Sequence, residues 1–508
     1  MGDKCEELAD LSSGIYRSRL SLPYDREASS FVSSLKEDEW IILEDIKGTE
    51  AHDIMLYENG ILSGDELKAI LGALEYLREG FIDGSLRVEG DYEDVHEFLE
   101  NLVTSRIGLD VGGKLHAGRS RNDQVALDVR LKARSELVEV CRLLLDVMEA
   151  ILNKAISESD TIIPLYTHTQ QAQIGFFSHY LLAFFDAFSR DLERLINSYG
   201  HVNLNPLGAS AVGGTRIPID RRRTSELLGF DGLIENSLDA VSSRDFALEI
   251  LSTLAILSDN LARISGDLVL WSSSEFNFLS IPDSYASTSS VMPHKKNPCT
   301  LELIRARSSR VYGGLIQLLA TLKGLPSGYN RDLQEPKIPL IVGFETVKER
   351  LSVFKRVVSG IALNRDRLEE TVKDSFVLAV DLAEALVTDY GLPFRKAHIL
   401  VGHIVRHLIE RGKKLADLDP RLIEEVSREV LGKPLIVEAS KLKEILDPRA
   451  ALKARKSIGA PSPEEVKRMI NSRIRLLKDF KVKVEKIVKK LEDDDSRFRD
   501  TVKSYLRG

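Results

Sequence analysis

Apolar positions dominate several uninterrupted stretches of about 25 residues, at 128–157, 172–199, 244–271, 299–323 and 338–362. In "SELVEVCRLLLDVMEAILNKAI" and "DFALEILSTLAILSDNLARISGDLVLW" the apolar residues cover more than one helical stripe. A helix wetted on one side would confine them to a single face, so the pattern predicts helices in the middle of a bundle. Each would be ~40 Å long at ~1.5 Å rise per residue. Strand-like alternation is rare, and "GTRIPIDRRR" at 214–223 is the best candidate for a short hairpin. Before residue 119 the helical segments are shorter and broken at "ENG", "REGFIDGS" and "VEGDYEDVH". After about residue 368 they shorten again, with breaks at "YGLPF", "LADLDPR", "LGKPL" and "SIGAPSPEE". The final stretch, from "NSRIRLLKDF" onward, reads as a charged amphipathic helix or two. The expected fold class is therefore all-α, with three helical domains: 1–118, a central long-helix bundle at 119–368, and 369–508 with an extended charged tail.

Composition narrows the function. A chain of 508 residues that is 43% hydrophobic can bury a large core. A net charge of −8 supplies neither a basic field for nucleic acid nor a polybasic patch for membranes. The opening "MGDKCEELAD" is acidic rather than a signal peptide, Glu6 stands where myristoylation wants a hydroxyl, and no apolar run reaches membrane-spanning length. Three scattered cysteines (Cys5, Cys141 and Cys299) suit free thiols in a reducing compartment, so a cytoplasmic location is expected.

Chemistry is expected where the helices are interrupted. Five polar islands stand out: "HAGRSRNDQ" (116–124), "YTHTQQAQ" (166–173), "NPLGASAVGGTR" (205–216), "STSSVMPHKKNP" (287–298) and "GYNRDLQEPK" (328–337). None has the spacing of a phosphate loop, a dinucleotide fingerprint or a zinc motif. His403 and His407 lie four apart on one helix face but have no obvious third ligand. The inventory suits a carboxylate-rich small molecule handled without metal or cofactor. A carbon acid beside a carboxylate loses its proton only if the doubly charged aci-carboxylate is stabilised by fixed cations and N–H donors. Lys295 and Asn297 could be those donors and a neighbouring serine the base, provided that cations and backbone N–H groups favour its alkoxide. Each island also has a plain structural reading: Asn297 as N-cap with Pro298 at N1 of the next helix, Lys295-Lys296 as a solvated pair, His168 as a satisfied core histidine, and Arg121-Asn122 as a turn with a salt bridge.

Together the islands resemble a known family. "SSVMPHKKNP" is similar to the signature of the fumarase/aspartase superfamily. "GRSRNDQVALDVRL", "YTHTQQAQ", "PLGA…IPIDR", "SRDFALE", "KKNPCTLELIRAR" and "YNRDLQE", in that order, resemble its argininosuccinate lyase branch. The resemblance runs from about residue 21 to about 470, and the charged tail beyond is longer than the family usually has. It implies an all-helical homotetramer with a twenty-helix core, each active site assembled from three subunits. The implied reaction is reversible anti elimination of argininosuccinate to arginine and fumarate through a carbanion, the last step of arginine biosynthesis, without a cofactor or metal. By position, Ser289 matches the catalytic base. Lys295 and Asn297 match the groups that hold the carboxylate and stabilise the carbanion. His168 matches the general acid or the group that orients the leaving nitrogen, and Glu302 matches its carboxylate partner. Arg121, Asn122 and Thr167 match substrate-carboxylate contacts, Tyr329, Gln334 and Lys337 the grip on the arginine moiety, and Ser21, His96 and Arg244 further binding positions. The chain departs from the pattern in several places. Thr288 replaces a usual glycine, and His294 resembles the sister enzyme adenylosuccinate lyase. "QAQI" stands for "RAQP", "PLGASAVGG" for "PLGSGALAG", and Pro336 for an acidic residue. The competing readings are adenylosuccinate lyase, which "GRSRND" and the missing phosphate signature oppose; a catalytically silent crystallin-like homologue, which the full set of catalytic groups opposes; and a helical partner-binding scaffold, which the clustered islands oppose.

Overall fold

The computed structural model describes residues 24–507, together with Arg19 and Leu22. Its N-terminal part is built on α1 (Ile42–Glu58), α2 (Gly64–Asp83) and α3 (Val95–Ile107). Local chemistry starts two of them: Ser63 and Glu66 cap α2 reciprocally, and the Asp94 carboxylate accepts from Glu97 N at the head of α3. Their inward faces, with Ile46, Ile54, Ile70, Leu74 and Leu99, form an apolar cluster of their own.

The long helices follow. α4 (Arg121–Ser157) is 37 residues long, ~55 Å at 1.5 Å per residue. It starts earlier than the apolar pattern suggests because Ser120 and Asp123 form a capping box in front of it. A β-hairpin, β1 (Ile162–Thr167) and β2 (Gln170–Phe176), reverses the chain into α5 (Phe177–Val202), and α6 (Asp245–Trp271) completes the inner layer. Arg130 near the start of α4 donates to the carbonyl of His201 at the end of α5 (2.9 Å) and stacks 4.0 Å from the Phe246 ring at the start of α6. These termini define one end of the bundle, here called the near end. Trp271 packs on Phe177 (6.4 Å between ring centroids) and marks the far end. The return path is α7 (Cys299–Ala306), α8 (Ser308–Leu322) and α9 (Lys337–Gly360). Leu144, Phe185, Phe188, Leu254, Leu351 and Phe354 are fully buried between these helices. The same apolar core continues into the short C-terminal helices Ala379–Thr388, Phe394–Glu410 and Pro420–Leu431.

Four expectations need correction. Residues 214–223 form no strand: Pro218 has no N–H for a ladder, and Ile217 and Ile219, which supply the alternation, pack against Gly118 instead. The real hairpin spans 162–176 and takes the first part of the expected 172–199 helix. The 299–323 helix is interrupted at Arg307, beside the point where the buried Arg350 guanidinium donates to Ser308 Oγ (2.8 Å) and Ser258 Oγ (2.7 Å). Asn297 does not cap that helix; it lies in a short strand, and Pro298 occupies the cap position without a side-chain hydrogen bond.

The tail is one helix, α10 (Pro463–Arg507). Val466, Met469, Leu477, Phe480, Val484 and Val488 form a buried stripe at helical spacing along the bundle. Phe498 and Val502 then enter the N-terminal apolar cluster. Lys47–Asp495 (2.7 Å), Arg499–Glu75 (2.8 Å) and Tyr505 Oη to Glu58 (2.9 Å) fasten the end of α10 there. Among the described residues, no helix is long and apolar enough to cross a membrane.

Candidate active site

The near end gathers one group of candidate residues. Lys337, the first residue of α9, is 1% exposed; its Nζ donates to Gln334 Oε1 (2.6 Å) and to the fully buried Asp38 carboxylate. Gln334 in turn donates to Tyr329 Oη (2.9 Å). Asp38 also accepts from Ser34 Oγ (2.7 Å) and Val95 N (3.3 Å), so the ammonium meets an acceptor held by two further donors. Arg244, just before α6, is buried, with Nε on Leu333 O (3.2 Å) and Nη1 on Ser243 O (2.8 Å). Burial lowers its pKa to about 10, against the opposing influence of Tyr329. Arg121, at the first turn of α4, bridges to Asp94 (3.3 Å) and Glu93 (3.4 Å), and Asn122 Nδ2 donates to Ala211 O (2.8 Å).

His96 lies beneath this group and is buried. Its Nδ1 is 3.1 Å from Asp45 and 3.6 Å from Asp128. Burial alone would hold the imidazole neutral, but the Asp45 carboxylate, with Asp94 and Asp38 behind it, raises its pKa. Burial and the neighbouring Asp45 push Asp128 well above the carboxylate range. Among the described residues these three are the one group of metal-capable side chains, with donor atoms within 4.8 Å of one another. Both shifts favour the protonated forms of His96 and Asp128, whereas a metal would need their donor atoms free of protons.

The far end carries the second group. β3 (Ser287–Thr288) pairs antiparallel with β4 (Lys296–Asn297), so the signature segment is itself a small hairpin. Thr288 is in its strand and is not among the residues with positive φ, so no glycine is required there. Beyond it the loop folds back on Ser289. The Ser289 Oγ accepts hydrogen bonds from Val291 N (3.3 Å) and Met292 N (3.0 Å), and Lys295 N closes the turn on Met292 O (3.1 Å). Lys296 is tied to Asp283 (2.7 Å) and Ser280 Oγ (3.1 Å), whereas Lys295 and His294 are exposed and Asn297 is half-buried. Glu302 is exposed one turn into α7.

The third group sits on the β1–β2 hairpin. Thr167 ends β1, and His168 and Thr169 make the turn at φ 52° and 59°, both left-handed and neither glycine. Such conformations cost of order 1–3 kcal/mol each and persist where the surroundings impose them. All three residues are exposed, so His168 is not a core histidine.

Within one chain the near-end group does not meet the other two. Arg244 precedes the first residue of α6, whose 27 residues extend ~40 Å. α7 lies alongside the other end of α6, with Arg305 against Gly266 and Ser308 Oγ on Ser258 O (3.2 Å), so Asn297 leads into it at the far end. Pro282, at the base of the signature loop, packs on Gly360, the last residue of α9, whose first residue is Lys337. The hairpin belongs to the far end too, since Tyr166 packs on Phe276 (6.2 Å), five residues beyond α6. No hydrogen bond or ion pair joins His168 to Glu302 among the described side-chain contacts. Ser21 lies outside the described residues. Sequence reasoning missed Asp38, Asp94, Asp45 and Asp128, single carboxylates in helices or at a helix start with no local motif. It also left His403 and His407 as a pair; His403 Nδ1 lies 3.4 Å from Arg406, and no third metal-capable side chain joins them among the described residues.

Comparison with known proteins adds independent findings. A family model described as "Lyase" matches residues 18–313, and one described as "Argininosuccinate lyase C-terminal" matches 376–453. The chain is 42% identical over 484 residues to argininosuccinate lyase of Nitrosopumilus maritimus, covering 94% of this chain and 98% of that protein. It is 41% identical over 466 residues to argininosuccinate lyase of Methanosarcina mazei, covering 91% and 93%. Among solved structures, EDDS lyase in complex with formate superposes with a TM-score of 0.85 at 31% identity, covering 92% of each chain. Class II fumarase from Schistosoma mansoni, at 18% identity and a TM-score of 0.69 over 82% of this chain and 92% of that one, shares the fold.

Proposed function

The chain belongs to the argininosuccinate lyase family of the fumarase/aspartase superfamily and is a carbon–nitrogen lyase; from that premise we propose how its residues divide the elimination of argininosuccinate to arginine and fumarate. The observation that carries the assignment of the base is the Ser289 hydroxyl, which receives two backbone N–H groups at the tip of the signature hairpin. Those donors stabilise an alkoxide, and the exposed Lys295 ammonium adds positive charge to the same loop. Ser289 takes the Cβ proton of the succinyl moiety. The electron pair passes into the adjacent carboxylate, where Lys295 and Asn297 meet the developing charge. The C–N bond then breaks, and the leaving guanidino nitrogen collects a proton from His168 or is oriented by it, with Glu302 as the partner that fixes the imidazole. Arg121, Asn122 and Thr167 hold carboxylates, Tyr329, Gln334 and Lys337 hold the arginine moiety, and Arg244 backs that subsite. His96 supports them from below: against burial, which alone would raise it, His96 and then Arg121 hold the Asp94 pKa below its ordinary value. No step requires a metal or cofactor.

The working unit is a homotetramer whose sites draw each of the three groups from a different copy. Two observations support this. The near-end and far-end groups are separated by about the length of α6, ~40 Å, whereas argininosuccinate spans on the order of 15 Å even when extended. In addition, Ile256 and Leu270 of α6, Leu303 of α7, Ile316 and Leu319 of α8 and Ile338 of α9 are exposed along the long helices, a surface of the kind that association covers. The enzyme works in the cytoplasm, in keeping with Cys141 and Cys299 as free thiols.

The deciding assay follows fumarate release from argininosuccinate and, separately, from adenylosuccinate. Release from argininosuccinate alone is expected. Release from the nucleotide alone would overturn the substrate assignment, and release from neither would return the chain to a structural role.

A further inference from the structure

A two-stranded ribbon has little stability of its own, yet β1–β2 presents a turn of two consecutive left-handed, non-glycine residues. Something outside the ribbon must fix it. One point on its edge is specific: Phe177 N donates to Thr161 O (2.9 Å), so by antiparallel alternation Pro164 and Ile174, opposite each other in the register, form a non-hydrogen-bonded pair, and the Ile174 carbonyl points away from β1. That outward carbonyl accepts from Arg455 Nη1 (2.7 Å). The rest of the guanidinium grips Asp381, with Nε and Nη2 at 3.2 and 3.0 Å from Oδ1 and Nη2 at 3.0 Å from Oδ2. Both side chains are largely buried, 12% and 8% exposed. Asp381 sits in the Ala379–Thr388 helix, and Arg455 caps the end of the Pro448–Ala454 helix. Arg455 thereby ties two elements of the C-terminal part to one backbone atom of the hairpin, the Asp381 helix only through the arginine. A second tie, His179 Nε2 to Gly459 O (3.0 Å), holds the start of α5 to the same C-terminal region.

The position of this contact matters. Between Leu165 and Tyr166 the register slips by a bulge, a device that turns the strand and re-aims what lies beyond it. Ile174 lies below the bulge and His168 above it, so the arginine fixes the base from which the bulge aims the tip. Position 174 is also where this chain has isoleucine in "QAQI".

We propose that the Arg455–Asp381 pair is a positioning strut that sets the His168-bearing hairpin for the elimination, making the C-terminal part a contributor to catalysis without touching substrate. The proposal rests on the reading of His168 as the group that acts on the leaving nitrogen. The planar fork of arginine serves a carbonyl and a carboxylate together, which a lysine ammonium cannot reproduce.

The test is a double-mutant cycle on the full-length protein with argininosuccinate as substrate. Arg455→Met is expected to lower kcat about 10–100-fold, the scale of a misplaced catalytic group, while KM stays within about threefold. Arg455→Lys should not restore it. In a His168→Asn background the same Arg455→Met change should cost less than about twofold, because both substitutions act through one group. Should Arg455→Met fail to fold, Asp381→Asn takes its place in the cycle, with a loss of about 3–10-fold expected from the looser fork. An Arg455 effect that is undiminished on His168→Asn, or a kcat unchanged by either strut variant, overturns the strut. A His168→Asn enzyme with near-normal turnover overturns the reading of His168 itself, and the strut with it.

Discussion

The two ends of the bundle solve opposite problems. At the near end the charged groups are buried or half-buried and already paired within the chain: Lys337 with Asp38 and Gln334, Arg121 with Asp94 and Glu93, and Arg244 with three backbone carbonyls. At the far end Ser289, Lys295, His168 and Glu302 stand on short hairpins and an exposed helix face, and among the described residues the local preparation is the pair of N–H groups on Ser289 Oγ. In the proposed division of roles the near end is a finished anchor for one part of a substrate, and the far end is reactive equipment that a single copy does not bring to its own anchor.

The contrast predicts that far-end changes affect turnover and near-end changes affect folding and affinity. The largest effect belongs to Ser289→Ala, which should lower kcat by roughly 10²–10⁴-fold while the melting temperature stays close to that of the parent. A large drop in melting temperature would mean that the loop is structural. Next is Lys337→Met, which leaves the Asp38 carboxylate buried without its ammonium; a loss of about 3–5 kcal/mol in unfolding free energy is expected by denaturant titration, together with a raised KM. Stability unchanged by this substitution would show that the anchor is not preformed.

A smaller effect concerns pH. Burial raises the pKa of Asp53, against the pull of Arg119, to about 8, and that of Glu50, despite Arg78, also to about 8. Folded-state values above the unfolded ones mean that the folded chain binds more protons. The associated stability is full below about pH 4 and is lost as pH rises toward 8. Backbone hydrogen exchange should therefore show α1–α3 opening more readily as pH climbs from 5 to 8, with a shallower slope in Asp53→Asn and no matching change in β1–β2. The smallest effect is expected for the stability of Asn297→Ala, within about 0.5 kcal/mol, since Asn297 caps nothing; a loss of ~1 kcal/mol, typical of a lost cap, would restore the capping role.

Much of this contrast is written locally, and some of it is not. Long helices follow from apolar residues that exceed one stripe, and the five islands contain nearly every residue assigned a role. The hairpin escaped notice because "TIIPLYT" reads as the end of an apolar run and "QAQIGF" merges into α5; its strands are defined by pairing with each other, not by alternation. Asn297 obeyed the sequence rule for a helix cap, but cross-strand pairing with Ser287 took the residue first. Asp38, Asp94, Asp45 and Asp128 were invisible as partners because their meaning comes from contacts across the fold, such as Asp38 with Lys337, 299 positions apart. The strut at Arg455 is hidden for the same reason.

The central claim is that a working site needs near-end and far-end groups from different copies of the chain. It is tested most directly by mixing Ser289→Ala with Arg121→Gln under conditions that let subunits exchange, at a substrate concentration low enough that the weakened affinity of Arg121→Gln leaves it, like Ser289→Ala, without activity on its own. In random tetramers, a site that draws the two groups from different copies is intact in roughly a quarter of cases, so activity should rise from near zero toward a quarter of the parental value. If both groups came from one chain, no mixture could contain an intact site, and activity that stays at the level of the separate variants after verified subunit exchange would contradict the account.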